Sequence, residues 1–388
     1  MEYLKIRILY KVLLFNYIWL THSKFMDFWK TIKVQWYILI FIMFLLNPSE
    51  CRAQKSNYFF DFTAGGGRLI SHHPLLDPLE GRVSFFNARW GIKTTGEKEW
   101  QRIFNYLTIG LGISHNKLTQ SYLGNPTAAY SFMYLPFFEI AKIKFNLGIH
   151  LGLAYGFHPY SDQNPLNVAI GSKCSAYASL NLNTTIKMTS NIDLFLCAGG
   201  YHYSNGNTSK PNKGLNQLGT EAGLRYRLTV PAIQINTNPV KPPEKKGSIM
   251  IFGAYGWKKE ATTSSFYNAG SLSTGYYHTI NNKSRLSAGA DLFYDEGVLY
   301  YSLEENKLKN VIASGLFIGH ELTLNKFSIA SQIGIYLTNP HPADPFYYER
   351  LGIRYIISKR VIPSLTLKAH EFKIDFVEWG IGFILWKS

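Results

Sequence analysis

The sequence predicts an all-β fold, a transmembrane antiparallel β-barrel of about 12–16 strands that follows an N-terminal signal helix. Three observations support this prediction. Aromatic residues make up 15% and charged residues only 17% of the 388 residues, and glycine is abundant, as in barrels with aromatic girdles. The mean hydropathy of -0.07 excludes a bundle of membrane helices. Runs of alternating apolar residues recur from residue 56 to the end of the chain.

The alternating runs are long enough to cross a membrane, because a spanning strand needs about 9–11 residues. Sixteen runs can be recognised. They fall near 56–64, 82–95, 103–115, 128–139, 143–156, 173–188, 191–205, 215–229, 247–259, 268–280, 283–295, 309–323, 326–338, 347–358, 361–370 and 374–386.

The connections between the runs alternate in length. Tight turns such as Ala141-Lys142 and Asn281-Asn282 alternate with long polar segments such as 157–172 and 206–214. Short turns on one side and long loops on the other are typical of outer-membrane barrels. We therefore expect the short turns to be periplasmic and the long loops extracellular.

One connection breaks this alternation. The segment 231–246 is rich in proline and lysine and reads as an extended loop, long although its place is periplasmic. It marks either a join between an eight-stranded first part and an added second part, or an ordinary insertion. The sequence leaves both interpretations open.

Residues 1–53 are interpreted as an upstream extension and a signal peptide, and residues 54–388 as the barrel. The apolar segment 36–46 is shorter than the ~20 residues of a spanning helix, follows lysines, and precedes small residues suited to cleavage before Gln54. Met26 is a plausible start, and an uncleaved inner-membrane anchor is the alternative. The interpretation predicts export to the outer membrane of a Gram-negative bacterium.

The net charge of +15 predicts an acidic partner. Charge alone does not distinguish nucleic acid, anionic lipid and the phosphates of lipopolysaccharide, but an exported barrel favours lipopolysaccharide and outer-membrane lipid, with no nucleic acid. Cys174 and Cys197 remain after the signal, and the turn near Ser190 would pair Cys197 with a residue around 182. We therefore expect no disulfide.

A possible catalytic pair lies at the end of the run 191–205. Residues two apart share a face of a strand, so His202 and Ser204 lie on the apolar, outward face of this one. On the returning strand, Asn216 joins them on the outward side. A nucleophile and a base on the exterior of a barrel indicate a lipid substrate.

The sequence HYSN at 202–205, followed by PNxGL at 211–215, resembles the outer-membrane lipid A 3-O-deacylases of the PagL type and the acyloxyacyl hydrolase-like proteins grouped with them. The motifs at 368–370 and 378–382 are similar to the longer members. The resemblance implies that Ser204 is the nucleophile and His202 its general base. The family's orienting glutamate corresponds to Asn216, whose carbonyl can still fix the imidazole tautomer but cannot stabilise an imidazolium by charge.

Further residues are assigned to supporting roles. Asn205 and the backbone around Gly206 are the candidate oxyanion donors. Glu221 is the runner-up acid; it is expected inside the barrel, neutralised by Arg225 and Arg227, and would need a bulge to reach the outer face. Basic loop residues Lys210 and Lys213 are candidates for holding the substrate phosphates.

No metal and no organic cofactor are predicted. The histidines outside the motif lack the spacing of metal ligands. The cluster His370, Glu371, Asp375 and Glu378 near the last loop is scattered over both strand faces by alternation.

The sequence thus favours an outer-membrane serine esterase that removes an ester-linked acyl chain from lipid A. The residues alone are more compatible with an ordinary strand end, and the resemblance reverses that preference. Two alternatives remain: a non-enzymatic porin or structural barrel, and a phospholipase that uses the same nucleophile on glycerophospholipid.

Overall fold

The computed structural model describes residues 57–228, 235–243, 246–305, 310–339, 344–358 and 360–388, without the side chains of 302–305. It contains sixteen antiparallel strands and two short α-helices in these ranges. The strands are β1 Asn57–Ile70, β2 Gly81–Lys93, β3 Thr108–Leu118, β4 Gly124–Ile140, β5 Ile143–Phe157, β6 Cys174–Lys187, β7 Ile192–Ser204, β8 Leu215–Arg227, β9 Gly247–Lys258, β10 Tyr267–Asn281, β11 Ser284–Asp295, β12 Ile312–Leu324, β13 Phe327–Thr338, β14 Tyr347–Tyr355, β15 Val361–His370 and β16 Lys373–Lys387. The helices are α1 Glu99–Ile103 and α2 Val298–Glu305.

The strands close into two barrels of eight strands each, β1–β8 and β9–β16. Strands β1 and β8 pair from Phe59↔Arg227 to Ile70↔Asn216, and β16 pairs with β9 in the same antiparallel sense. The all-β transmembrane fold and the strand number are therefore confirmed, whereas the expectation of a single barrel is corrected. The Pro/Lys-rich connection lies between the two barrels along the chain. This is the position expected under the first of its two interpretations, a join between an eight-stranded first part and a second part.

Alternation along each strand separates an apolar exterior from a filled interior. In β7, for example, Leu196 and Ala198 are exposed while Phe195 and Cys197 are buried. The exposed apolar side chains form an outer surface suited to lipid, since lipid-facing and interior residues alternate in membrane barrels. Eight strands leave an interior just wide enough for side chains to fill.

Charged pairs lie inside both barrels. In the first, Arg225 forms a two-pronged pair with Asp61 at 2.7 and 2.9 Å, and Arg89 binds Glu221. The prediction that Arg225 and Arg227 neutralise Glu221 is therefore wrong. Glu221 on β8 stands opposite Cys197 on β7, and the guanidinium that reaches it across the lumen belongs to Arg89 on β2.

In the second barrel, Arg350 joins Asp291 at 2.9 Å and also Glu378, while Arg354 joins Glu321. All of these carboxylates are almost fully buried. Pairing with guanidinium groups is what makes buried carboxylates tolerable in a low-dielectric interior.

Each barrel has a loop end and a turn end. The loop end of the first barrel carries 71–80, 119–123, 158–173 and 205–214, and its turn end carries 141–142, 188–191 and the segment 94–107 with α1. The two barrels touch at their loop ends, where the backbone N–H of Lys259 donates to the carbonyl of Asn207 at 3.0 Å. At the turn end of the second barrel, the side chain of Asn282 donates to the carbonyl of Lys241, in the connection between the barrels, at 2.9 Å.

Two expectations about the termini and cysteines can be compared with the structure. Cys174 and Cys197 are both free thiols, as predicted, and Cys197 opposes Asn183. The predicted signal peptide lies outside the described residues. Among the residues that are described, no helix has the length and apolar character needed to cross a membrane.

Candidate active site

His202 and Asn216 form a cross-strand pair on the outer face of the first barrel. They stand directly opposite each other on β7 and β8, at the loop end, and Nδ1 of His202 lies 2.6 Å from Oδ1 of Asn216. Alternation places both on the exterior, as the sequence predicted. An amide oxygen at this position accepts the imidazole N–H and thereby fixes which ring nitrogen carries the proton.

Ser204 ends β7 two residues after His202, on the same face, but the loop 205–214 folds over it and leaves it only 5% exposed. Its hydroxyl lies 3.0 Å from the side-chain nitrogen of Asn212, and the backbone N–H of Gly206 donates to it at 3.3 Å. Within the described residues, no hydrogen bond joins Ser204 to His202, and Nε2 of His202 has no hydrogen-bond partner. The imidazole nitrogen that would act as base is therefore unoccupied.

The donors nearest to the Ser204 hydroxyl differ in part from those the sequence suggested. The Gly206 N–H is among them, whereas the Asn205 side chain donates to the carbonyl of Ser209 at 2.9 Å. Asn212 contacts Ser204 instead: its side-chain nitrogen lies 3.0 Å from the hydroxyl, and its side-chain oxygen accepts from the backbone N–H of Asn205 at 3.0 Å and lies 3.3 Å from the same hydroxyl. Sequence reasoning had Asn212 in the PNxGL motif but gave it no role.

Gly214 lies directly under the imidazole. Its φ of +72° is in the left-handed region that favours glycine, and a Cβ at this position would stand 2.9 Å from Cε1 of His202. Both the backbone conformation and the close approach therefore require glycine here. The glycine of the PNxGL motif is explained by the space that the His202 imidazole occupies.

Glu221, the runner-up acid, is not part of this cluster. The pairing of β8 with β7 and with β1 continues without a register shift, so no bulge turns Glu221 outward. It is 4% exposed inside the barrel and is held by Arg89, Asn87 and Thr63. The structure therefore leaves Asn216 as the residue that contacts His202 at Nδ1.

The two candidate phosphate-binding lysines lie in different surroundings. Burial lowers the pKa of Lys210, and the Glu260 carboxylate of the second barrel opposes that shift. Lys213 places its ammonium 3.3 Å from Nε2 of His73, on the first loop of the first barrel. Only Lys213 lies beside the segment that contacts Asn216.

An open groove of about 790 Å³ runs along the outer wall below the pair. It is lined by residues of β1, β7 and β8, among them Gly66, Gly200 and Gly219. Gly200 lies two residues below His202 on the same face of β7. Gly66 and Gly200 place no side chain on the outer wall at this position and so leave room beside the His202–Asn216 pair.

The second barrel contacts the loop that covers Ser204. The side chain of Asn207 donates to the carbonyls of Ile374 at 2.6 Å and Asp375 at 3.0 Å, both at the start of β16. A Cβ on Gly206 would lie 2.5 Å from Cγ2 of Val377. The conformation of this loop is therefore fixed partly from outside the barrel that carries the site.

A separate polar cluster lies inside the second barrel at its loop end. A register shift between Lys368 and Ala369 breaks the alternation, and Asp375 turns inward to bind Lys368 and Lys258, at 2.8 and 2.7 Å. His370 also lies inside, bonded to Tyr336. The expectation that alternation scatters the last-loop cluster over both faces is thus wrong for these residues.

One ligand atom from each of Asp344, His370 and Asp375 lies within 4.8 Å of the others. The ammonium groups of Lys258 and Lys368 already neutralise this site. A cation is therefore a poor fit to the donor set.

Two family models match the chain, one on each barrel. The model of lipid A 3-O-deacylase (PagL) matches residues 84–225, from β2 to β8. The model of the C-terminal domain of acyloxyacyl hydrolase matches residues 247–387, which are the bounds of β9–β16. The comparison with curated protein sequences gave no match.

Solved structures with similarity to the chain include three kinds of outer-membrane barrel. Neisserial surface protein A is 14% identical with a TM-score of 0.31, covering 44% of this chain and 97% of its own. The outer membrane enzyme PagL is 18% identical with a TM-score of 0.30, covering 43% and 98%. A Rhodopseudomonas blastica porin is 9% identical with a TM-score of 0.17, covering 84% and 99%. The two family models, and not the structures with these low TM-scores, are the basis for assigning the chain to a family.

Proposed function

Because the chain belongs to the family of PagL-type lipid A 3-O-deacylases and acyloxyacyl hydrolase-like proteins, we propose that it is an outer-membrane serine esterase that removes an ester-linked acyl chain from lipid A. Ser204 is the nucleophile and His202 the general base. Asn216 orients the base. The substrate is the lipopolysaccharide of the outer leaflet, toward which the loop ends of the barrels would face.

The proposed reaction follows from the contacts around Ser204. Nε2 of His202 takes the hydroxyl proton while Oγ attacks the ester carbonyl, and the bond to the sugar oxygen breaks as His202 returns the proton to it. Water then hydrolyses the acyl-enzyme by the same proton transfers. Hydrogen bonds between nucleophile and base are often long before substrate binds, and so the open Nε2 is compatible with this role.

The oxyanion of the tetrahedral intermediate would accept hydrogen bonds from the Gly206 N–H and from the side chain of Asn212. Both groups already point at Oγ of Ser204, at 3.3 and 3.0 Å. Preorganised donors of this kind are usually the largest single contribution to acyl transfer. Lys213, next to the site, is the better placed of the two lysines to pair with a glucosamine phosphate.

The observation that carries the proposal is the position of the His202–Asn216 pair on the exterior wall. A soluble ester would be met at an internal cleft, whereas this pair opens onto a lipid-facing surface with a glycine-lined groove below it. The groove has room for an acyl chain lying along the wall.

Replacing Ser204 with Ala tests the proposal directly. We expect the loss of one acyl chain from lipid A, read by mass spectrometry, to stop with the variant, since removing a serine nucleophile lowers kcat by roughly 10⁶-fold. Ser131→Ala is the matched control, because Ser131 is half-buried on the outward face of β4 and donates only to the carbonyl of Leu151. Equal deacylation by wild type and Ser204→Ala would refute the proposal.

The two alternatives have distinct outcomes in the same preparation. A phospholipase would release fatty acid from diacyl glycerophospholipid vesicles that lack lipopolysaccharide. A porin would conduct ions across planar bilayers, which the side chains that fill both eight-stranded interiors argue against.

A further inference from the structure

His72 lies next to the His202–Asn216 pair although it is distant from it in sequence. Closure of the first barrel pairs Ile70 of β1 with Asn216 of β8, and the chain beyond Ile70 carries the imidazole of His72 to the outer side of Asn216. Nδ1 of His72 is 2.9 Å from the side-chain nitrogen of Asn216. Nε2 of His72 is 2.9 Å from the backbone carbonyl of Lys213.

The hydrogens in this chain of contacts can be assigned from one fixed point. A backbone carbonyl only accepts, so Nε2 of His72 must donate to Lys213. A neutral His72 then has its lone pair on Nδ1, which accepts from the NH₂ group of Asn216. The oxygen of Asn216 is consequently turned to His202, whose Nδ1 must carry the proton.

The opposite orientation of the amide would disable the base. With its NH₂ group toward His202, Asn216 would donate to Nδ1, the proton of the imidazole would move to Nε2, and His202 could not accept a proton from Ser204. A carboxylate at position 216 would avoid this problem, because both of its oxygens accept. An amide needs a third group to select its orientation.

We propose that His72 is a positioning residue which, by accepting a hydrogen bond from Asn216, holds the amide in the orientation that keeps the proton of His202 on Nδ1. The inference rests on the proposed function for its effect on rate. The tautomer of His202 is a property of the resting protein and can be measured without catalysis.

The kinetic test is a double-mutant cycle of His72→Phe and Asn216→Glu in the full chain. Phenylalanine keeps a ring but cannot accept, and His72 is exposed, so the core is not disturbed. We expect His72→Phe to lower kcat on lipid A about fivefold in the natural background, with KM little changed, because one orienting hydrogen bond contributes about 1 kcal/mol. In the Asn216→Glu background we expect a decrease of less than about twofold.

Two controls separate positioning from damage to the loop. His158→Phe changes another exposed loop histidine, which bonds the carbonyl of Ser121, and should leave the rate unchanged. His72→Gln supplies a carbonyl acceptor and should restore most of the activity lost in His72→Phe. Equal losses in both backgrounds at position 216 would overturn the inference, because a structural role does not depend on the residue there.

If no deacylation is found, nitrogen-15 NMR of the His202 imidazole tests the role of His72 independently of activity. The signal is assigned by its loss in His202→Gln. We expect Nδ1 to be the protonated nitrogen in the natural protein and a mixture of tautomers in His72→Phe. The same tautomer in both would refute the role of His72. Absence of activity together with the expected tautomers would refute only the proposed function.

Discussion

The last hairpins of the two barrels occupy the same place in the fold, but they differ in loop length and in the side chains on their outward faces. In the first barrel, β7 and β8 are joined by the segment 205–214, which folds back over Ser204. In the second, β15 and β16 are joined by Glu371 and Phe372 alone. The outward residues of β15 are Pro363, Leu365, Leu367 and Ala369, with no nucleophile or base among them. The comparison teaches that the same hairpin can carry a polar cluster or none: in the first barrel the strand ends supply His202, Ser204 and Asn216, and the longer loop adds Gly206 and Asn212 around them.

The interiors differ at the same end. Below the loop 205–214 the first barrel is filled by aromatic rings, with Tyr203 against Tyr177 and Phe157 at centroid distances of 5.4 and 5.5 Å. At the loop end of the second barrel, Lys258 and Lys368 meet Asp375 instead. The rigid aromatic packing supports the strand end that carries the site. The charged cluster of the second barrel lies next to the β16 residues that contact Asn207.

Removing the side chain of Asn212 should have the largest effect after loss of the nucleophile. In Asn212→Ala, the proposed oxyanion site loses one of its two donors and the Asn205 N–H loses its acceptor. We expect kcat to fall about 10²–10³-fold with KM nearly unchanged, because the donor acts mainly in the transition state. Steady-state deacylation kinetics measure this.

A Glu139→Gln variant at the turn end is the control, since its salt bridge to Lys144 is solvent-exposed. If Asn212→Ala changes KM and not kcat, Asn212 binds substrate and does not serve the oxyanion. In that case the loop 205–214 would differ from the tight turn of the second barrel in binding substrate and not in stabilising the oxyanion.

The contribution of the second barrel can be tested through Asn207. Asn207→Gly deletes both hydrogen bonds to β16 while permitting the φ of +61°, so backbone strain does not interfere. We expect kcat to fall about tenfold, since Asn207 also contacts Asn212 and the two lost hydrogen bonds to β16 contribute about 0.7 kcal/mol each. Kinetics on lipid A and a thermal melt of the same sample measure the effect.

Asn325→Gly is the matched control, because Asn325 has a φ of +56° in a tight turn at the opposite end of the second barrel. It should leave kcat unchanged. Identical kinetics for Asn207→Gly and wild type would show that the two side-chain hydrogen bonds from Asn207 to β16 have no part in arranging the site.

Local patterns in the sequence predicted much of the fold and part of the site. Alternation located the strands near their observed bounds, and it placed His202 and Asn216 on one outer face because adjacent strands of a hairpin keep their register. The same parity put Glu221 inside. These inferences use residues that are close in sequence, where the geometry of a strand fixes direction.

What the sequence did not predict depends on contacts between distant segments. Pairing of β1 with β8 closes the first barrel early and carries His72 to Asn216, and no local pattern contains that information. The register shift at Lys368 turns Asp375 inward against strict alternation. Asn212 lies in a loop, where side-chain direction follows from the fold of the loop itself and not from a period of two.

The smallest effect that we predict concerns Asp344 in the last long loop of the second barrel. Burial, aided by the Asp375 carboxylate, raises the pKa of Asp344 to about 7, although Lys368 and Lys258 oppose the shift. The folded state therefore favours the protonated acid more than the unfolded state does, whose pKa is about 3.9. Its contribution to stability is complete below about pH 4 and is lost as the pH rises toward 7.

Asp344→Asn should remove this loss of stability at rising pH. The variant and wild type should unfold at the same urea concentration near pH 4, and the variant should be the more stable at pH 8. Asp162→Asn, in an exposed loop of the first barrel, should not change the pH dependence. A wild type that becomes relatively more stable with rising pH would mean that Lys258, Lys368 and His370 pair with Asp344 strongly enough to overcome its burial. Ion pairs would then stabilise the loop end of the second barrel, as they stabilise the interiors around Arg89 and Arg350. The difference from the aromatic packing of the first barrel would be limited to Lys258, Lys368 and their partners.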